Sequence, residues 1–100
     1  MRIVSVGTLR DFWARHPDAE QALRAWYDEA RHAVWATPQD IRDRYASASF
    51  VSRRRVVFNI KGNRYRLVVA VAWRFQAVYI KFVGTHADYD RIDAATVEDA

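Results

Sequence analysis

The chain has 100 residues, 51% of them hydrophobic, four tryptophans and no cysteine. That is enough for one compact domain, 1–100, with one core, and leaves no room for a second. Disulfides, thiol chemistry and thiolate zinc sites are excluded, and the longest apolar stretch, Leu67–Trp73, is too short to cross a bilayer. No basic and apolar leader opens the sequence, so a cytoplasmic protein without membrane association is expected, and its net charge of +4 points to an anionic partner.

In chain order, Arg2–Val6 alternates enough for a short strand. Thr8 and Asp11 have capping-box spacing for a short helix that places Leu9, Phe12, Trp13 and His16 on one face. Pro17 ends that pattern and suits the first turn of a second helix. There Ala19, Ala22, Leu23, Trp26, Ala30 and Ala33 or Val34 recur at three- and four-residue spacing. Thr37, Pro38 and Asp40 repeat the start signal for a short third helix ending near Tyr45, and Ala46–Ser52 reads as a loop.

Three strands follow, Arg55–Lys61, Arg64–Ala72 and Ala77–Val83. Gly62 and Asn63 suit the positive backbone angles of a two-residue hairpin turn. With Lys61 opposite Arg64, Asn59 faces Arg66 and Phe58 faces Leu67. A second turn near Arg74 and Phe75 sets Val71 opposite Val78, hence Val69 opposite Ile80 and Leu67 opposite Phe82. One face then carries Val56, Phe58, Ile60, Tyr65, Leu67, Val69, Val71, Val78, Ile80 and Phe82. It is the expected core, covered by the three helices. The other face, with Arg55, Asn59, Lys61, Arg64, Arg66, Tyr79 and Lys81, is expected to stay open. The fold class is α+β, a mainly antiparallel sheet with N-terminal helices on one face and a short C-terminal helix.

The charge follows the same division. Residues 1–50 hold seven basic and seven acidic side chains. Val51–Val83 holds eight basic ones, Arg53, Arg54, Arg55, Lys61, Arg64, Arg66, Arg74 and Lys81, and no acid. From Gly84 onward one arginine meets five acids. A sheet with cations alone suits a polyanion, although a solvated arginine-rich surface is the plain alternative. His16, His32 and His86 are scattered without ligand spacing, no glycine-rich phosphate loop is present, and no serine sits on a nucleophile elbow, so no metal or cofactor is expected.

A basic face edged by aromatics suits RNA cleavage without a metal. The ribose 2′-hydroxyl attacks phosphorus, a base takes its proton, cations stabilise the phosphate oxygens, and an acid protonates the leaving oxygen. Lys61, Arg64, Arg66 and Lys81 are the candidate cations. In the run Gly84-Thr85-His86-Ala87-Asp88-Tyr89-Asp90, His86 is a candidate acid or base and Tyr89 a stacking or proton-transfer group. The structural alternatives are a capping or packing role for His86, a Tyr89 that tucks the last helix onto the sheet, and aspartates that favour that helix's N-terminus. Arg53, Arg54, Arg55, Asn59, Arg74 and Tyr79 are candidates for holding the RNA strand.

Arg55–Val69, reading Arg-Val-Val-Phe-Asn-Ile-Lys-Gly-Asn-Arg-Tyr-Arg-Leu-Val-Val, resembles the core signature of HigB toxins. Val78–Asp93, with Phe-Val-Gly-Thr-His-Ala-Asp-Tyr-Asp-Arg-Ile-Asp, resembles their C-terminal signature. Leu9–Trp13, His16–Ala19 and Leu23–Tyr27 are similar to the family's helical pair, so the resemblance spans nearly the whole chain. It implies a RelE-like fold and a type II toxin that cleaves messenger RNA in the ribosomal decoding site. It also implies a HigA-type antitoxin with a helix-turn-helix domain, through which alone operator DNA is contacted. Carried onto this chain, it implies phosphate contact by Lys61, Arg64, Arg66 and Lys81, and proton transfer or stacking by His86 and Tyr89. Two other readings stay open: a non-catalytic poison of DNA gyrase resembling ParE, and a plain RNA-binding module.

Overall fold

The computed structural model describes residues 1–98; residues 99 and 100 of the expected domain lie outside them. A five-stranded sheet has the order β1-β5-β4-β3-β2, from β1 (Arg2–Val4), β2 (Ser49–Phe50), β3 (Arg55–Ile60), β4 (Tyr65–Ala72) and β5 (Ala77–Thr85). β1 runs parallel to β5, and the remaining pairs are antiparallel. The helices are α1 (Val6–Arg15), α2 (Glu20–His32), α3 (Pro38–Arg44) and α4 (His86–Tyr89), with a 3₁₀ turn at Pro17–Ala19 leading into α2. The α+β, RelE-like expectation holds.

Two of the helix starts contrast, α3 held by side-chain bonds and α1 without them. At α3, Pro38 stands in the first turn and the Asp40 carboxylate accepts the N–H groups of Ala36 (2.8 Å) and Thr37 (3.1 Å). Those two bonds hold Asp40 below its ordinary carboxylate range. At α1 the expected Thr8 cap is absent. The strand stops at Val4, Ser5 turns at φ 72°, and Thr8 already lies inside the first helical turn. Residue spacing marks helical periodicity, but a single left-handed residue that starts the helix early leaves no such signature.

α1, α2 and α3 place Leu9, Phe12, Leu23, Trp26, Ala30 and Ile41 on one side of the sheet, against Val56, Phe58, Ile60, Leu67, Val69, Val71, Val78 and Ile80. Each fully buried leucine there, such as Leu23 or Leu67, contributes about 2 to 3 kcal/mol of transfer free energy. The N-terminal ammonium donates to the Ala33 carbonyl at 2.5 Å, which fixes β1 beside the end of α2.

The β3–β4 register is as expected, with Phe58 opposite Leu67 and Asn59 opposite Arg66. The turn differs: the last pair is Ile60 with Tyr65, and the left-handed residues are Lys61 (φ 52°) and Gly62 (φ 66°), not Gly62 and Asn63. The loop before β3 also contains a strand, since Ser49 and Phe50 pair with Val57 and Val56.

The largest correction is in β5. Val71 with Val78 and Val69 with Ile80 pair as expected, but Val68 then pairs with Phe82 and Leu67 with Val83. Lys81 is the extra residue of a β-bulge, and beyond it every side chain of β5 changes face. Phe82 therefore leaves the helical core, and Val83 takes its place. On the second face Phe82 packs with Val57, Val68 and Ala94, flanked by Tyr89, Ile92 and Val97. That face is thus not left open along its length, because the chain after β5 folds back over its middle.

Candidate functional site

Four groups of side chains share the second face and its rim. At the hairpin tip, the Asp18 carboxylate faces Lys61 Nζ at 3.7 Å and Arg64 Nη1 at 3.4 Å, and accepts the Tyr65 hydroxyl at 2.5 Å. The tyrosine bond is the main reason Asp18 sits below its ordinary range, with the two cations adding to it. The same bond, with burial, raises Tyr65. His16 lies over Phe12 and meets the Tyr65 ring edge-on, at 4.3 and 5.7 Å between ring centres. Lys61 and Arg64 are therefore tied to the helical side of the molecule. They stand in the turn and not in a row with Arg66 and Lys81, which corrects the single-face placement.

In the middle of the face, Arg66 lies opposite Gly84 on β5 and Asn59 on β3. Its guanidinium stands 5.7 Å from the Tyr89 ring centre and donates to the Asn63 carbonyl at 3.3 Å. Among the described residues Arg66 makes no ion pair. Thr85 starts α4 with a reciprocal box, its Oγ1 accepting the Asp88 N–H at 3.1 Å. This aims Tyr89 back at Phe82 and Arg66. Gly84 makes the docking possible, since a Cβ there would lie 2.5 Å from Phe82 Cζ and 3.1 Å from Asp88 Cβ. His86 is the exposed first residue of α4, its N–H bonded to the Arg64 carbonyl and its Nδ1 3.5 Å from Asp90.

Beside this pair, Arg55 and Lys81 converge. Arg55 Nη1 holds the Val97 carbonyl at 2.7 Å and the Ala94 carbonyl at 3.2 Å, while its Nη2 meets Glu98 at 2.9 Å. Lys81 Nζ meets the other Glu98 oxygen at 2.7 Å and lies 5.8 Å from the Tyr79 ring centre. The bulge aims Lys81 into this position, as bulges near functional sites do.

At the far end, Arg54, Arg74 and Tyr79 line a cleft of about 500 Å³ with Ala70, Trp73 and the 74%-exposed Phe75. Arg53 stands just outside it, its carbonyl accepting the Trp73 indole N–H at 3.2 Å. The structure thus joins Arg66 with Tyr89, Arg55 with Lys81, and Arg54 with Arg74 and Tyr79. It pairs Lys61 and Arg64 with Asp18 instead. Asp18, Phe75, Gly84 and Glu98 were not singled out from the sequence. The one signal in the sequence that could have found Glu98 is the acidic tail after an acid-free basic sheet.

The family model for the HigB toxin, the RelE-like toxic component of a toxin–antitoxin system, matches residues 19–92. This chain belongs to the HigB toxin family. The match runs from the 3₁₀ turn that carries Asp18's neighbour Ala19 through α4, and so includes Arg66 and Tyr89. Similar curated proteins cover nearly its whole length. The mRNA interferase HigB of Escherichia coli O6:H1 is 22% identical over 94 residues, 92% of this chain and 91% of the relative. The mRNA interferase toxin HigB of Escherichia coli K12 and the mRNA interferase HigB of Shigella flexneri are each 26% identical over 92 residues, 90% of this chain and 88% of the relative. Membership in a toxin–antitoxin family gives this HigB chain an antitoxin partner. Among the described residues no helix is long and apolar enough to cross a membrane.

Proposed function

We propose that this HigB toxin is an endoribonuclease that cuts messenger RNA engaged on the ribosome, without a metal. The observation that carries the reading is the Arg66–Tyr89 pair, a guanidinium 5.7 Å from the centre of a phenol ring, with no acid paired to Arg66 among the described residues. The relatives' name, mRNA interferase, supports the substrate class. The proposed chemistry needs no metal, because the substrate's own 2′-hydroxyl is the nucleophile and side chains supply the cations and the proton-transfer groups.

In this reading the 2′-oxygen attacks phosphorus, the P–O5′ bond breaks, and the products are a 2′,3′-cyclic phosphate and a 5′-hydroxyl. Arg66 neutralises charge on the non-bridging oxygens, a role suited to a planar guanidinium. Tyr89 stacks on a base or passes a proton at its hydroxyl, and His86, exposed at the rim, is the other proton-transfer group. Lys81 and Arg55 hold the neighbouring phosphate, and Asn59, Tyr79, Arg53, Arg54 and Arg74 carry the strand toward the far cleft. Lys61 and Arg64, already engaged by Asp18, contribute field at the rim. A HigA-type antitoxin with a helix-turn-helix domain restrains the toxin and carries it to operator DNA.

The test is brief induction without antitoxin, with new 5′ ends of cellular messages mapped. Cuts within translated frames bearing 5′-hydroxyls are expected, and Arg66→Ala lowers their yield about 100-fold. Growth arrest with intact messages would overturn the reading in favour of a gyrase poison. Salt-sensitive RNA binding without a cut product would leave a binding module.

A further inference from the structure

We propose that Arg55 and Lys81 form a phosphate-binding site that the protein fills with its own Glu98 carboxylate, so that the substrate strand must displace this internal occupant. The inference rests on the RNA reading above and concerns how that groove is kept closed.

Four observations lead to it. The two cations come from β3 and β5, on either side of β4, and each meets a different oxygen of one carboxylate, at 2.9 and 2.7 Å. A phosphodiester presents the same pattern, two non-bridging oxygens sharing one negative centre, to a guanidinium and an ammonium. Secondly, the cations are built into the sheet and the occupant is not: the Arg55 and Lys81 side chains are 12% and 22% exposed, that of Glu98 is 63% exposed. The charged site is shaped by the strands, and its present ligand lies at its mouth, where exchange with another anion costs little.

Thirdly, the grip on the strap and the grip on the carboxylate use different nitrogens. Arg55 Nη1 holds the Ala94 and Val97 carbonyls, and Nη2 holds Glu98. The Asp93 carbonyl also accepts the Thr96 and Val97 N–H groups, at 3.1 and 2.9 Å, which keeps the turn closed by itself. The carboxylate can therefore leave while the strap stays docked. Finally, the residues from Val51 to Val83 hold no acid, so a counter-charge for these strands has to come from elsewhere in the chain. Glu98 supplies it from beyond the span that matches the family, which ends at residue 92. Its bonds to Lys81 and Arg55 hold Glu98 below its ordinary carboxylate range.

The experiment measures binding of a fluorescent single-stranded DNA oligonucleotide, which has the phosphates but no 2′-hydroxyl to be cut, to the full chain. Glu98→Gln is expected to bind about fivefold tighter than the unaltered protein, the loss of a competing ion pair with one exposed partner. Asp43→Asn, which removes the same charge from remote α3, changes affinity less than twofold. In a Lys81→Ala background the gain from Glu98→Gln falls below about twofold, because one of the two cations it frees is gone. Unchanged affinity for Glu98→Gln, an equal gain without Lys81, or no binding by any of the proteins would each overturn the proposal. None of these readouts depends on cleavage, so a failure of the nuclease reading is seen separately in the mapped message ends.

Discussion

The two faces of this sheet are made by the same strands, residue by residue in alternation, and yet they meet very different fates. The face toward α1, α2 and α3 is continuous hydrocarbon from Val56 to Val83. The other has a small apolar island of Val57, Val68, Phe82 and Ala94, ringed by Arg55, Arg66, Lys81 and Tyr89. The first face supplies stability and admits no charge. The second is only partly closed, by a segment that Arg55, the Lys81–Glu98 ion pair and the apolar contacts around Ala94 hold down, and so keeps cations near the surface where an anion can reach them. The difference teaches that the site is where the sheet's covering is thinnest, and that a bulge at Lys81 puts an aromatic ring there to support it.

The sharpest way to break the comparison is to create one packing defect on each face. Leu67→Ala, in the helical core, is expected to lower unfolding free energy by about 3 kcal/mol in urea titration, because the cavity is enclosed on all sides. Gly84→Ala acts on the other face by overpacking. Its Cβ would press on Phe82 and Asp88, so a loss of about 1 to 2 kcal/mol is expected with α4 displaced. Cleavage then falls further than the stability loss accounts for, since Tyr89 rides on α4. If Gly84→Ala cleaves normally, α4 does not position the site.

The smallest effect is at the hairpin tip. Asp18 has its folded-state titration depressed, first by the Tyr65 bond and then by Lys61 and Arg64. A depressed carboxylate stabilises the fold above its unfolded value and loses that contribution as pH falls through the folded value. Asp18→Asn is therefore expected to lower Tm by a few degrees at pH 7. It should also flatten the fall in Tm on acidification below about 4, the ordinary carboxylate value. An unchanged acid limb would remove Asp18 from the account. Cleavage should change less than it does with Arg66→Ala, because Lys61 and Arg64 stand at the rim.

Much of this architecture was legible in the residues. Strand alternation fixed which of Phe58, Leu67, Val69 and Ile80 point inward, since a slip of one position would expose them all. The start of α3 was legible because Thr37, Pro38 and Asp40 act locally. Three features were not. Ser5 is an ordinary serine in an uncommon conformation, the bulge at Lys81 follows no local composition, and the return of residues 93–98 over the sheet depends on carbonyls that carry no sequence label.

The sequence by itself therefore determined the α+β class, the inner face as far as the bulge at Lys81, the cationic character of the strands and the family. The first three rest on side-chain type at short spacing, which hydrophobic periodicity and charge report directly, and the family rests on the resemblance carried by Arg55–Val69 and Val78–Asp93. Only the tertiary structure decided which cations act together. Asp18 withdraws Lys61 and Arg64 toward the helices, Glu98 joins Arg55 to Lys81, and the bulge that turns Phe82 outward places Tyr89 over Arg66. Those pairings span many residues of chain, and their energies depend on distances that exist only once the sheet has closed.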